Sequence, residues 1–186
     1  MKEVKKQLRQ DMLNLRTSLD TTYVQNSDQA IIENILNSQL YLSSKVIFCF
    51  MSMESEVNTR PIIEDALNRG KIVCVPKVIS KGKMEAFEIY GFDDFELSSF
   101  GIHEPKEGSL LIDPEHIELG IIPNITVSRS GYRLGYGGGF YDRYFLRSDM
   151  FRMAVCREQL IQEELPVEQH DQKVDAIVTE LGIINI

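Results

Sequence analysis

The sequence predicts a single α/β domain with a mostly parallel central sheet and helices on both faces. Two short, continuous apolar runs, 46–51 and 72–75, are typical of strands buried on both faces of a sheet. Residues 59–70 between them have the pattern of an amphipathic helix, and such a strand–helix–strand unit favours a parallel, right-handed crossover. With 186 residues the chain suits one domain, 1–186, that buries a full core.

Composition excludes several classes of protein. The formal net charge of −8 argues against a broad nucleic-acid-binding surface, which needs a basic face. No stretch approaches the ~20 apolar residues of a membrane-spanning helix, and the start of the chain lacks the apolar core of a secretory signal. Cys49, Cys74 and Cys156 each lie in an apolar run, which predicts buried free thiols. We therefore expect a cytoplasmic protein that binds neither nucleic acid nor membranes.

Residues 2–19 are predicted to form the first helix. Apolar side chains recur at helical spacing and make one stripe: Val4, Leu8, Met12, Leu15 and Leu19. Lys5, Arg9 and Arg16 lie beside this stripe on a shared face. Three cations so close repel one another unless an anion lies between them, so this face is either an anion site or a solvated basic surface.

The second and third helices are predicted from their caps. Asn26 or Ser27 can cap the second helix. Its inward face is expected to hold the following residues: Ile31, Ile32, Ile35 and Leu36. Thr59 can cap the third helix, which has Pro61 in its first turn and Gly70 at its end.

The loop at 51–56 follows the first strand directly. Ligands of parallel sheets bind outside the carboxyl ends of the strands, and this loop begins at such an end. Glu56 is therefore a candidate binding residue, with a solvated surface glutamate as the alternative.

Later parts of the chain alternate between strands and connections. Further strands are predicted at 84–89, 119–123, 153–156 and 176–178. Residues 91–118 have low periodicity and are expected to form a long connection with local turns. His103 and His116 within it match no recognisable metal-ligand spacing and are expected at the surface.

The most informative stretch runs from Arg133 to Arg143 and contains four glycines in five positions, followed by a predicted helix at 140–148. Main-chain N–H groups at a glycine-rich loop and helix start can bind an anion. The two arginines can add charge-assisted contacts to phosphate, and Asp142 can hold the Mg²⁺ that accompanies a nucleotide. The alternative is a tight connection with solvated arginines.

Generic nucleotide motifs do not match this stretch. It lacks the lysine and hydroxyl of G-x-x-x-x-G-K-[ST] and the G-x-G-x-x-G spacing of dinucleotide loops. Near the end of the chain, His170, Asp171 and Asp175 precede the last predicted strand, and these two carboxylates and the histidine can supply a second oxygen ligand for Mg²⁺. A polar turn is the alternative there.

Together these motifs resemble the 5-formyltetrahydrofolate cyclo-ligase family, also called 5,10-methenyltetrahydrofolate synthetases. The resemblance runs almost end to end and rests on five segments: 5–9, 51–56, 101–105, 133–143 and 170–175. The glycine loop followed by an aromatic pair and Asp-Arg is the most specific of them. The fold implied is the cyclo-ligase α/β architecture, which is similar to that of sugar-phosphate isomerases and CoA-transferases.

The resemblance also implies roles for individual positions. Those expected to bind ATP are Lys5, Lys6, Gln7, Leu8, Arg9, Arg133, Leu134, Gly135, Tyr136, Gly137, Gly138, Gly139, Phe140 and Tyr141. Those expected to bind folate are Met51, Glu56, Tyr136, Gly137, Gly138, Gly139 and Phe140. Arg133, Tyr141 and Arg143 are the expected catalytic residues. Asp142 and Asp171 are the expected Mg²⁺ ligands.

The implied reaction is the ATP- and Mg²⁺-dependent conversion of 5-formyltetrahydrofolate, free or polyglutamylated, to 5,10-methenyltetrahydrofolate by a monomer or weak homodimer. The chain departs from the family pattern at Gly138, where many members have lysine. Arg133, Lys5 or Arg143 can supply the missing charge.

Two other functions stay open on the residues alone. The first is a sugar-phosphate or CoA-transferase-like enzyme whose glycine loop binds a phosphate ester without consuming ATP. The second is a non-catalytic nucleotide- or folate-binding module, which would be stabilised by its ligand and show no turnover.

Overall fold

An eight-stranded sheet forms the centre of the structure, a computed structural model that describes residues 1–98 and 101–186. The helices are α1 (Lys2–Ser18), α2 (Thr21–Leu36), α3 (Gln39–Ser43), α4 (Arg60–Asn68) and α5 (Phe140–Phe145). The strands are β1 (Val46–Cys49), β2 (Ile72–Ser80), β3 (Lys83–Ile89), β4 (Phe95–Leu97), β5 (His103–Pro105), β6 (Leu111–Ile112), β7 (Leu119–Ile122), β8 (Thr126–Val127), β9 (Arg133–Leu134), β10 (Phe151–Val155), β11 (Ala176–Thr179) and β12 (Gly182–Asn185).

The strand order of the main sheet is β12-β11-β10-β7-β1-β2-β3-β6, and the strands from β11 to β2 are parallel. The strands β3, β6 and β12 pair antiparallel with their neighbours towards the two edges. After β1 the chain forms β2 on one side of β1, and β7 later pairs with the other side of β1. The strand order therefore reverses between β1 and β7, which is where open α/β sheets bind ligands.

Helices cover both faces of the sheet, as predicted. Because side chains alternate along a strand, Ile47 and Cys49 of β1 join the core beneath α2, α3 and α4, whereas Phe48 joins the core beneath α5. Met12 of α1 packs in a third cluster with Ala154, the residue of β10 that points away from the first core. The mostly parallel sheet between two helical layers confirms the predicted fold class.

Helix α1 matches the predicted range within one residue, but its inward face is different. Val4 is 57 % exposed and Leu15 is 40 % exposed, whereas Lys5 and Arg16 are buried. The predicted apolar stripe is wrong at these two positions. The helix turns its basic face inward because the fold supplies oxygen acceptors there from distant parts of the chain.

Helix α2 begins earlier than predicted. Its N-cap is Asp20, whose carboxylate accepts a hydrogen bond of 3.0 Å from the N–H of Tyr23. The predicted caps, Asn26 and Ser27, lie inside the helix, where the Ser27 hydroxyl donates to the carbonyl of Val24. Helix α4 was predicted correctly, with Thr59 at its N-cap, although the Thr59 side chain makes no capping bond.

The remaining differences concern two short helices and several strands. The sequence did not predict α3, and the helix predicted at 140–148 ends at Phe145. β2 extends to Ser80 and forms a hairpin with β3, and β12 was missed by the sequence pattern. The predicted connection 91–118 contains β4, β5, β6 and two short 3-10 turns. Ser99 and Phe100 of this connection lie outside the described residues.

Two further observations concern sequence expectations. Cys49, Cys74 and Cys156 are free and buried, as predicted. Among the helices in the described part of the chain, none combines the length and apolar character needed to cross a bilayer.

Candidate active site

A cavity of about 630 Å³ lies at the carboxyl ends of the parallel strands. Its walls come from α1, the loop after β1, the β2–β3 hairpin, β5, the loop after β7, the glycine-rich loop at 135–139 and the segment 168–171. A volume of this size suits a small-molecule ligand. The cavity therefore occupies the edge of the sheet at which the sequence places its candidate residues.

Arg133 is a buried cation in this cavity. Its side chain is 4 % exposed, and Nη2 donates to Asp142 Oδ1 at 3.0 Å. The guanidinium carbon lies 5.2 Å from the ring centre of Tyr141. Nε is buried and has no hydrogen-bond partner among the described residues. Burial lowers the pKa of Arg133, yet arginine stays charged at neutral pH because its ordinary pKa is so high.

The glycine-rich loop, residues 135–139, uses its glycines for both conformation and close contact. Gly137 and Gly139 have φ angles of 98° and 64°, which side-chain-bearing residues rarely adopt. A Cβ at Gly138 would lie 2.6 Å from the ring of Phe140. Phe140 thus fills the space that a lysine side chain would need at position 138.

The same loop exposes main-chain donors. Within the described residues the N–H groups of Gly137, Gly138 and Gly139 donate no hydrogen bond, and all three residues line the cavity. Arg9 lies beside them, with its Nε donating to the carbonyl of Gly135 at 2.7 Å. Free donors and a neighbouring cation make this part of the wall suited to an anion.

A cluster of charged side chains joins the two ends of the chain. Lys5 Nζ lies 2.5 Å from Asp171 Oδ2 and 3.0 Å from Glu168 Oε2. Burial alone would lower the pKa of Lys5, but the two carboxylates outweigh it and raise that pKa. Burial alone would raise the pKa of Asp171, but the ammonium group and the N–H of Glu168 lower it.

The candidate metal ligands are grouped differently from the prediction. Glu168, His170 and Asp171 each offer one ligand atom within 4.8 Å of the others. Asp142 is not in this group, although its Oδ1 accepts a 3.2 Å bond from the N–H of Gln172 in the adjoining segment. Carboxylate oxygens are the ligands that Mg²⁺ prefers, so this donor set fits the ion provided that the Lys5 ammonium releases Asp171.

Glu56 is the buried carboxylate of the loop after β1, with 7 % of the residue exposed. Its Oε2 accepts from the N–H of Met53 at 2.9 Å, and Oε1 accepts from the hydroxyl of Tyr136 at 3.1 Å. Burial raises the pKa of Glu56, and the Met53 N–H, the Arg16 charge and the Tyr136 hydroxyl oppose that shift. Met51, which is also buried, lines the cavity nearby.

The loop that carries Glu56 is held in place from below. Arg157 is buried, forms an ion pair with Asp28 at 2.7 Å, and donates to the carbonyls of Ser55 and Glu56 at 3.1 and 3.0 Å. These contacts fix the backbone from which the carboxylate projects.

The structure brings most of the predicted site residues together at the cavity and places others outside it. Lys5, Arg9, Met51, Glu56, Asp142, Asp171 and the residues from Arg133 to Tyr141 line its wall. Lys6 and Gln7 are exposed on α1, and Leu8 packs in the core. Arg143 is exposed, and its guanidinium donates to the carbonyls of Gly82 and Gly138 at 2.6 and 2.5 Å.

Some lining residues were not identified from the sequence. Glu168 stands two residues before His170, so its proximity to the predicted metal segment was an available signal. Asn124 and the hairpin residues Pro76, Val78 and Met84 carried no such signal, because only the folded sheet brings them to this edge. Of the two histidines expected at the surface, both are exposed and His103 lines the cavity.

Comparison with known proteins gives consistent similarities. A model described as the 5-formyltetrahydrofolate cyclo-ligase family matches residues 1–180. A Schizosaccharomyces pombe protein named probable 5-formyltetrahydrofolate cyclo-ligase is 29 % identical over 97 % of both chains. The 5-formyltetrahydrofolate cyclo-ligase of Mus musculus is 29 % identical over 81 % of this chain and 80 % of its own. The structure of Aquifex aeolicus 5,10-methenyltetrahydrofolate synthetase aligns with a TM-score of 0.87 at 27 % identity, covering 98 % of this chain and 92 % of that one.

Proposed function

The chain belongs to the 5-formyltetrahydrofolate cyclo-ligase family, and we propose that it converts 5-formyltetrahydrofolate and ATP to 5,10-methenyltetrahydrofolate, ADP and phosphate. The observation that carries this proposal is the shared cavity. One part of its wall contains the cation of Arg133, whose buried Nε has no hydrogen-bond partner among the described residues. Another part contains the buried carboxylate of Glu56. A polyanion and a ring with N–H donors find complementary partners in the same space.

The glycine-rich loop and Arg133 are proposed to bind the phosphates of ATP. The free N–H groups of Gly137, Gly138 and Gly139 can donate to phosphate oxygens, and the guanidinium of Arg133 in the same wall adds positive charge. Phosphoryl transfer depends mainly on positioning and charge neutralisation, so such a wall needs no protein nucleophile.

Mg²⁺ is proposed to bind at Asp171, with Asp142 and Glu168 as the neighbouring carboxylates. When bound, the ion would neutralise phosphate charge. In the absence of the ion Lys5 is the cation between Asp171 and Glu168. This contact lowers the pKa of Asp171 and so favours its ionised form, the form that can bind a cation once Lys5 releases it.

Folate is proposed to bind at Glu56 and Met51. A carboxylate can accept from two N–H donors at once, which suits the 2-amino and ring N–H groups of a reduced pterin. The Met51 side chain offers apolar surface beside it. The hydroxyl of Tyr136 donates to one oxygen of Glu56, and the carboxylate keeps further lone pairs that can accept from the ligand.

The reaction follows from placing the formyl oxygen beside the γ-phosphate. The oxygen attacks phosphorus and ADP leaves, which makes a phosphorylated imidate at N5. N10 then attacks the formyl carbon and loses its proton, and the C–O bond breaks to release phosphate. The formyl oxygen therefore leaves in the phosphate.

The structure limits which cations can replace the lysine that other family members have at position 138. Lys5 is engaged with two carboxylates, and Arg143, which is not among the cavity-lining residues, is bound to the carbonyls of Gly82 and Gly138. We therefore assign the compensating charge to Arg133 and Arg9, which both line the cavity. Arg143 is reassigned from catalysis to positioning.

The test is the absorbance of the methenyl-folate product after mixing protein, 5-formyltetrahydrofolate, ATP and Mg²⁺. We expect the band to rise only when both substrates and the ion are present. Absence of product while both ligands bind would overturn the proposal and favour a binding module. If ATP does not bind, the proposal that the glycine-rich loop binds the phosphates of ATP is wrong.

A further inference from the structure

Arg16 is the one cation of the basic face of α1 to which the proposed reaction gives no role. Only 5 % of the residue is exposed. Its Nη1 donates to the hydroxyl of Tyr136 at 3.2 Å, and its Nη2 donates to the carbonyl of Asn124 at 2.9 Å. Burying an arginine is costly unless its donors are well used, so these contacts call for an explanation.

These bonds connect separate walls of the cavity. Asn124 follows β7, Tyr136 belongs to the glycine-rich loop, and Tyr136 in turn bonds Glu56 in the loop after β1. The loops after β1 and β7 lie on the two sides of the point where the strand order reverses. Arg16 therefore ties together the elements that frame the proposed folate site.

The direction of the hydrogen bonds follows from the donors available. Arginine can only donate, so the hydroxyl oxygen of Tyr136 must accept from Arg16. The single hydroxyl proton of Tyr136 is then left to donate to Glu56 Oε1. The order is Arg16 to Tyr136 to Glu56, and it cannot run the other way.

This direction selects one state of Glu56. Both carboxylate oxygens already accept a hydrogen bond, from Tyr136 and from the N–H of Met53. A proton on either oxygen would weaken the hydrogen bond that this oxygen accepts, so the network opposes the rise in pKa that burial causes. Arg16 adds a positive charge within reach of the same carboxylate.

We propose that Arg16 is a positioning residue for substrate recognition, which acts through Tyr136 to hold Glu56 ionised and in one orientation. The inference rests on the proposed function, since it deepens the role of Glu56 as the acceptor of the pterin N–H groups. A purely structural role for Arg16 would predict equal losses of folate binding, ATP binding and stability.

The first test measures equilibrium binding of 5-formyltetrahydrofolate without ATP, and of a non-hydrolysable ATP analogue without folate. Arg16→Gln is expected to weaken folate binding about tenfold, the usual cost of losing a hydrogen bond at a charged group. Affinity for the ATP analogue should stay within about twofold of wild type. Arg129→Gln, which removes an exposed arginine that pairs with Glu158, is the matched control and should change neither affinity.

Tyr136→Phe provides the second test and guards against misfolding of Arg16→Gln. Tyr136 is 52 % exposed, so losing its hydroxyl should leave the fold intact while breaking the connection to Glu56. We expect the same selective loss of folate affinity. Unchanged folate affinity in Tyr136→Phe overturns the inference.

A double-mutant cycle tests whether Arg16 affects folate binding through Glu56 or independently of it. If Arg16 acts through Glu56, Arg16→Gln should cost little in a Glu56→Gln background, whereas independent effects would multiply. A full additional loss in that background overturns the inference. If Glu56→Gln loses folate binding but Arg16→Gln and Tyr136→Phe do not, the inference is rejected and the proposed function stands. Unchanged folate binding in Glu56→Gln rejects the proposed folate site itself.

Discussion

At the scale of single residues, Arg133 and Glu56 have buried, charged side chains. Their partners leave one hydrogen-bond donor of Arg133 and some acceptor lone pairs of Glu56 unused. In the part of the chain that the structure describes, Arg133 pairs with Asp142 and its Nε has no partner. Glu56 has one hydrogen bond on each oxygen, and each oxygen retains a lone pair. The unused donor and the unused acceptor capacity both belong to residues that line the same cavity.

Arg133→Ala is predicted to lower turnover at least ~10²-fold, because it removes a charged donor from the developing phosphoryl charge. Steady-state rates with both substrates measure this. Arg147→Ala is the control, since Arg147 also pairs with a carboxylate, that of Glu85, and is not among the cavity-lining residues. Turnover near the wild-type rate in Arg133→Ala would remove the phosphate assignment.

At the scale of elements, α1 shows what periodicity can and cannot predict. The helical spacing predicted its range, but the face that turns inward is decided by acceptors far away in the chain. Asp171, the partner of Lys5, stands 166 residues further on. The sequence placed both residues in candidate segments, and no local pattern could show that they meet. The early start of α2 and the missed strand β12 have local causes: Asp20 caps α2 through Tyr23, and β12 pairs with the strand that precedes it, β11.

The connection between the glycine-rich loop and the β2–β3 hairpin depends on Arg143. This arginine donates to the carbonyls of Gly138 and Gly82. Because a trans peptide points its C=O and N–H in opposite directions, holding the carbonyl of Gly138 towards Arg143 turns the N–H of Gly139 the other way. Arg143 thus orders a main-chain donor of the cavity wall, although it is not itself among the cavity-lining residues.

Arg143→Gln is therefore predicted to weaken ATP binding several-fold and to change folate binding little. Hydrogen exchange of residues 135–139 should become faster, since the loop loses an anchor. Arg147→Gln, four residues along, is the control because Arg147 contacts Met84 and Glu85 and makes no bond to the loop. Unchanged exchange in Arg143→Gln would contradict the anchoring role.

At the scale of the whole molecule, the two ends of the chain are joined by the Lys5–Asp171 ion pair beside the cavity. The fold class and the candidate segments were predictable because parallel strands and the glycine motif leave strong local signals. The pairing of Lys5 with Asp171, and of Arg16 with Glu56 through Tyr136, depends on how the sheet brings distant segments together. Those pairings had no counterpart in the sequence pattern.

This ion pair predicts a pH window of stability. The lowered pKa of Asp171 means that its contribution is present above its ordinary value of 3.8 and is lost as pH falls through the lower folded-state pKa. The raised pKa of Lys5 means that its contribution is present below 10.5 and is lost as pH rises through the higher folded-state pKa. The pair should therefore stabilise the protein between these limits.

Lys5→Met is predicted to lower the unfolding temperature at neutral pH, and the difference from wild type should shrink in strong acid as Asp171 becomes protonated. Thermal unfolding followed by circular dichroism at several pH values measures this. Lys6→Met, on the exposed side of the same helix, is the control. A difference that persists undiminished in strong acid would show that Lys5 acts by packing and not by charge.

The central claim is that the cavity brings the formyl oxygen of the folate to the γ-phosphate of ATP. Its most direct test uses 5-formyltetrahydrofolate labelled with ¹⁸O in the formyl group, with mass analysis of the phosphate released during turnover. We predict one ¹⁸O atom in the phosphate for each methenyl product formed. Unlabelled phosphate formed together with the methenyl product would contradict it, because the formyl oxygen would then have left by another route.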